Sequence, residues 1–152
     1  MGDSNSTSNE MYVTKSAEEV IEIVDENNNV LEPKTRAEMR AARLIHRATY
    51  ALVRTSGNYF YVQKRSMLKD YCPGYLDPTP GGVMAAGETY EVTNIREVEE
   101  EMGIKDVEMQ HLFTFFYEDR RLRCWGDAWE CEYDGPIKMQ KVNKLLLLSA
   151  NI

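Results

Sequence analysis

Three glutamates carry the most evident chemistry in this sequence. Glu97, Glu100 and Glu101 stand three and four residues apart, and side chains at those separations are neighbours on one face of an α-helix. Carboxylates so placed repel one another. A hard divalent cation takes oxygen ligands and turns that repulsion into binding; the bland alternative is a solvated acidic face. Arg96 lies among Glu88, Glu97, Glu99 and Glu100, where a guanidinium fork can pair a carboxylate and hold its rotamer.

The glutamates need a helix and a loop to aim them. Residues 78–88, PTPGGVMAAGE, read as a Gly/Pro-rich loop feeding a helix that starts near Thr89, an N-cap residue type. Gly103 offers the left-handed position that ends it. Val92, Ile95, Val98 and Met102 recur at helical spacing and are expected to bury the opposite face. Upstream, Val20, Ile21, Ile23 and Val24 alternate with acids, and Asn27, Asn28 and Asn29 precede Val30 and Leu31, which predicts a small hairpin. Residues 35–44 read as a helix, and 46–54 and 58–65 as a second hairpin turning at Ser56 and Gly57. Residues 107–118 and 121–133 read as two more strands around the corner Glu118, Asp119 and Arg120. Strands on both sides of one central helix predict an α/β fold, of α+β type, with helices packed on a mixed sheet. The aromatics Phe113, Phe115, Phe116, Tyr117, Trp125 and Trp129 are expected to fill core in preference to stacking a nucleobase.

The segment from Gly82 to Ile104 resembles the Nudix box, G-x5-E-x7-R-E-U-x-E-E-x-G-U with U aliphatic. Gly82, Glu88, Arg96, Glu97, Val98, Glu100, Glu101, Gly103 and Ile104 fill it, a match expected by chance on the order of once in a billion placements. The resemblance implies an α/β/α sandwich with a mixed sheet. It implies Mg²⁺ or Mn²⁺ held by Glu97, Glu100 and Glu101, with Glu100 as candidate catalytic base, and Gly82, Glu88, Arg96 and Gly103 supporting the site. The flanks, HRATYALV at 46–53 and residues 63–82, are similar to the branch related to isopentenyl diphosphate isomerase and to bacterial hydrolases of unassigned substrate. In the isomerases the positions matching Arg65 and Lys69 hold the diphosphate. The isomerase cysteine and histidine are replaced here by Gly81 and Val83. His46 matches an isomerase metal ligand without that ligand's usual partners, and reads as a hydrogen-bonded strand histidine.

At 152 residues and 43% hydrophobic content, the chain suits one globular domain. A formal charge of −7 argues against gripping a nucleic-acid polymer and leaves room for a small phosphorylated substrate; the resemblance implies a small-molecule diphosphate as that partner. The longest apolar run, 145–148, is far too short to span a membrane, so no membrane partner is expected. Cys72, Cys124 and Cys131 form neither a disulfide framework nor a zinc spacing, which fits a cytoplasmic protein. Cys72 is disfavoured as a nucleophile because no supporting pattern surrounds it.

Residues 1–17 read as a disordered polar tail, 18–136 as the domain, and 137–152 as a short atypical tail in which the usual covering helix is truncated. Gly2 and Ser6 match a loose myristoylation pattern, but lipidation is not expected beside the acidic Asp3. The expected activity is Mg²⁺-dependent hydrolysis of a diphosphate linkage in a nucleoside diphosphate derivative or related organic diphosphate. An isomerase of isopentenyl diphosphate and a non-catalytic binding module stand as alternatives.

Overall fold

The computed structural model describes the backbone of residues 4–139 and 144–149 and the side chains of residues 9–139. Gly2 lies outside the described residues. The first element corrects the reading of the polar opening as disordered: Ser4–Glu18 form helix α1. Glu10, Met11, Lys15, Ala17 and Glu18 are good helix formers, and α1 lies against α2.

Strand β1 (Val20–Val24) turns back into β2 (Val30–Thr35) through the asparagine run. The Asp25 carboxylate fixes that turn by accepting the backbone N–H groups of Asn27 at 2.8 Å and Asn29 at 2.9 Å. Helix α2 (Arg36–Ala42) opens with a capping box. Glu38 donates its N–H to Thr35 Oγ1 at 3.2 Å, and Thr35 donates its N–H to Glu38 Oε2 at 2.8 Å. The helix stops short of Leu44 because Arg43 takes a left-handed conformation.

Central strand β3 (Ile45–Arg54) pairs antiparallel with β1 and with β4 (Tyr59–Lys64). It also pairs in parallel along its whole length with β7 (Arg123–Glu132), so the sheet is mixed. β5 (Leu76–Asp77) pairs antiparallel with β4, helix α3 (Tyr90–Met102) crosses over, and β6 (Gln110–Glu118) forms a hairpin with β7. Residues Lys144–Ser149 form β8 antiparallel to β4. Within the segment read as a short atypical tail, Leu145 to Leu148 pair with residues of β4, and Ile137 and Met139 pack against the core.

Two clusters lie on opposite faces of β3. Ala51 and Val53 of β3, with Cys131 of β7, meet Val98 and Met102 of α3 and Ile104 just beyond it. Ile21 and Ile23 meet Met39 of α2 and Val83. Ile23 pairs with His46, and side chains alternate along a strand, so His46 and Ala51 point to opposite faces. Helices α2 and α3 therefore cover the sheet from both sides, an α/β/α sandwich. Among the described residues no helix is long and apolar enough to cross a membrane.

Two expectations about apolar surfaces fail. Val98 and Met102 are buried, but Val92 is 53% and Ile95 45% exposed. The inner face of α3 is instead Thr93, Asn94, Val98, Glu101 and Met102; the helix is rotated so that a glutamate, not an isoleucine, faces inward. The aromatics of β6 do not form a core stripe either. Phe113 is 57% exposed, and Phe116 and Tyr117 are also exposed; β6 is paired only with β7 among the described strands.

Candidate active site

The loop before α3 is laid down along β3. Ala51 donates its N–H to the Pro80 carbonyl and Thr49 its N–H to the Gly82 carbonyl, both at 2.9 Å, and Met84 donates to the Arg47 carbonyl at 3.0 Å. This close approach to β3 requires glycine at 81. A Cβ at Gly81 would overlap the Thr49 carbonyl, and one at Gly82 would overlap the Glu97 carboxylate. Thr89 caps α3 by accepting the Val92 N–H at 3.3 Å. Gly103, at φ +68°, ends it by donating to the Glu99 carbonyl at 2.8 Å.

Arg96 organises the acids. Its Nε and Nη2 donate to the two carboxylate oxygens of Glu88, each at 3.1 Å, and Nη1 donates to Glu97 at 2.9 Å and, more loosely, to Glu100 at 3.4 Å. Glu88 also accepts the Thr93 hydroxyl at 2.6 Å. Burial raises the Glu88 pKa, but Arg96 and Thr93 outweigh it and hold the group below the usual carboxylate value. Glu97 goes the other way: burial, reinforced by the charges of Glu101 and Glu100 and opposed by Arg96 and Lys69, pushes it up to about 7.

Glu101 is 1% exposed. Both of its oxygens are engaged, one by Gln63 Nε2 at 2.7 Å and the other by Lys69 Nζ at 3.0 Å. Burial lowers the Lys69 pKa, but Glu101 and other anionic neighbours outweigh it and hold the ammonium above its ordinary value. Glu100 is half exposed, and its recorded partner is the long contact to Arg96. Among the described residues no three acids, histidines or cysteines converge on a common point as a metal-binding group. The glutamates share one cleft but are drawn apart, Glu97 and Glu100 by Arg96 and Glu101 by Lys69 and Gln63.

The cleft has a volume of about 1020 Å³ and reaches from these glutamates to α1 and α2. Arg65 and Lys69 both line it. Arg65 is committed to its own loop, donating to Asp77 at 2.8 Å and to the Tyr71 carbonyl at 3.1 Å. Sequence reasoning missed the opposite wall, where Arg36 and Arg40 both grip Asp70, each through Nε at 2.9 Å. Their spacing of four along α2 was the available signal. Burial raises the Asp70 pKa, yet the two guanidinium groups hold it well below the carboxylate range. His46 also lines the cleft, fully buried, with Nδ1 3.3 Å from the Leu44 carbonyl oxygen. Burial, with Arg40 adding to it, pushes its pKa down to about 4.

The family model for the NUDIX domain matches residues 44–142. The chain belongs to the Nudix family. An uncharacterized Nudix hydrolase of Yersinia pestis is 43% identical over 122 residues, covering 80% of this chain and 67% of that protein. The uncharacterized Nudix hydrolase YfcD of Escherichia coli (strain K12) is 41% identical over 123 residues, with 81% and 68% covered. DR0079 from Deinococcus radiodurans superposes with a TM-score of 0.75 at 25% identity, over 86% of this chain and 83% of that one. The MutT protein from Methanosarcina mazei Go1 shares the fold, with a TM-score of 0.61 at 21% identity over 69% and 77%. Family membership makes the chain a Nudix hydrolase.

The atoms that Glu97, Glu100 and Glu101 offer to this cleft are carboxylate oxygens, the ligand type that a hard divalent cation takes.

Proposed function

We propose that this Nudix hydrolase cleaves a diphosphate linkage in a nucleoside diphosphate derivative or related organic diphosphate, using Mg²⁺ or Mn²⁺ held by Glu97, Glu100 and Glu101. The observation that carries the reading is the placement of these acids in one cleft with Lys69. When bound, such a cation polarises phosphate oxygens and acidifies water.

The chain's own residues supply the rest. Lys69 contacts a phosphate oxygen, and Arg65, held by Asp77, fixes the loop that carries it and adds positive field. Glu100 is the least committed of the three acids and takes the proton of the attacking water. The water oxygen bonds to phosphorus, the bridging P–O bond breaks, and the departing phosphate carries away the electron pair. Gly81 favours hydrolysis over isomerisation, since a cysteine at that place would drive its Cβ into the Thr49 carbonyl. A cytoplasmic location suits the free Cys72, Cys124 and Cys131.

A panel of nucleotide sugars, dinucleotides, nucleoside triphosphates and prenyl diphosphates, incubated with and without Mg²⁺, tests the reading. Mg²⁺-stimulated phosphate products from one class are expected. Allylic isomer without hydrolysis, or no product from any class, would overturn it.

A further inference from the structure

We propose that Lys69 is an exchangeable counter-ion: its ammonium holds Glu101 in the metal-free protein, yields that carboxylate to the divalent cation, and is thereby released to a substrate phosphate. The inference rests on the metal reading above and adds an order of events, cation first and diphosphate second.

Three observations support it. Lys69 Nζ sits 3.0 Å from Glu101 Oε1, while Gln63 takes the other oxygen at 2.7 Å. Each Glu101 oxygen thus already accepts one hydrogen bond, and a cation that approaches Oε1 meets the like charge of the Lys69 ammonium. The Gln63 backbone is held in β4, paired with Asp77 of β5 and Leu145 of β8, and its neutral amide is not repelled by an arriving cation, whereas Lys69 lies in the loop between β4 and β5 and carries a like charge. The partner able to leave is Lys69.

The exchange also solves an electrostatic problem. A carboxylate this deeply buried without a counter-charge is costly, and Lys69 supplies one at the protein's own expense of an anion-binding group. An arriving dication takes over that role, and a free ammonium at the same cleft then meets the diphosphate. Thermodynamic linkage requires that each ligand strengthen the other through this exchange.

The test is calorimetric titration of Mn²⁺ into folded wild-type protein, Lys69→Met and Lys69→Arg, with and without methylenediphosphonate as the non-hydrolysable probe. Lys69→Met removes the competitor, so its Mn²⁺ affinity in the absence of probe is expected to rise by about tenfold. The same variant is expected to lose most of the gain in probe affinity that Mn²⁺ confers on the wild type, and Lys69→Arg to keep it. Unchanged or weaker Mn²⁺ binding by well-folded Lys69→Met overturns the exchange while leaving the metal reading intact. Absence of Mn²⁺ uptake by the wild type overturns the metal reading and the exchange with it. Should Lys69→Met fail to fold, a crystal structure of wild-type protein with Mn²⁺ decides: a broken Lys69–Glu101 pair supports the exchange, and an intact one at about the same separation overturns it.

Discussion

Arg96 and Glu88 meet fork to fork, Nε on one carboxylate oxygen and Nη2 on the other, both at 3.1 Å. The pair ties the end of the glycine loop to the helix that carries the three glutamates. A lysine cannot reproduce two parallel bonds. Arg96→Lys is expected to cost about 1–2 kcal/mol of stability in urea unfolding, and to lower turnover as well, because Glu97 and Glu100 lose their shared partner. Full stability and activity in that variant would show the fork to be ornamental.

Gly82→Ala places a methyl group where the Glu97 carboxylate lies. The contact is with the far end of the Glu97 side chain, which can swing aside at a cost of about 1 kcal/mol for an altered rotamer. Turnover is expected to fall more than stability implies, since the displaced group is one of the proposed ligands. Kinetics on folded protein, with thermal melting measured in parallel, checks the difference.

Glu100→Gln keeps the shape of the side chain and removes its basicity. Turnover is expected to drop by roughly two to four decades while the melting temperature stays within a few degrees. Normal turnover in this variant assigns the proton to another group.

His46 makes stability depend on pH. Unfolded imidazole binds a proton below about 6.5, whereas the buried ring does so only below about 4. The contribution is therefore complete above pH 6.5, falls as the pH drops through the interval, and is gone below 4. A difference of 2.5 pH units corresponds to at most about 3 kcal/mol. Urea midpoints across that range should fall for the wild type, with a shallower decline for His46→Asn; identical slopes would remove His46 as the source.

Much of the fold was legible because its signals are local. Thr89 and Gly103 bracket α3 through backbone chemistry that a sequence displays directly, and the asparagine run between β1 and β2 does the same. What escaped depends on tertiary contact. The rotation of α3 that exposes Val92 and Ile95 and buries Glu101 reflects partners distant in sequence, Gln63 and Lys69, which helical periodicity alone does not reveal. Likewise Arg65 and Lys69 match diphosphate-holding positions alike, yet the fold spends Arg65 on Asp77 and sets Lys69 on a glutamate. In the C-terminal segment, Leu145 to Leu148 pair with β4, a partner some eighty residues away in sequence that the apolar run itself does not name.

Calorimetric titration of folded wild-type protein with Mg²⁺ and Mn²⁺, repeated on a Glu97→Gln, Glu101→Gln double variant, tests the central claim most directly. Saturable uptake by the wild type that is lost from the equally folded variant is the expected result. No uptake by the wild type, or equal uptake by both proteins, would contradict the claim that these glutamates hold the catalytic cation.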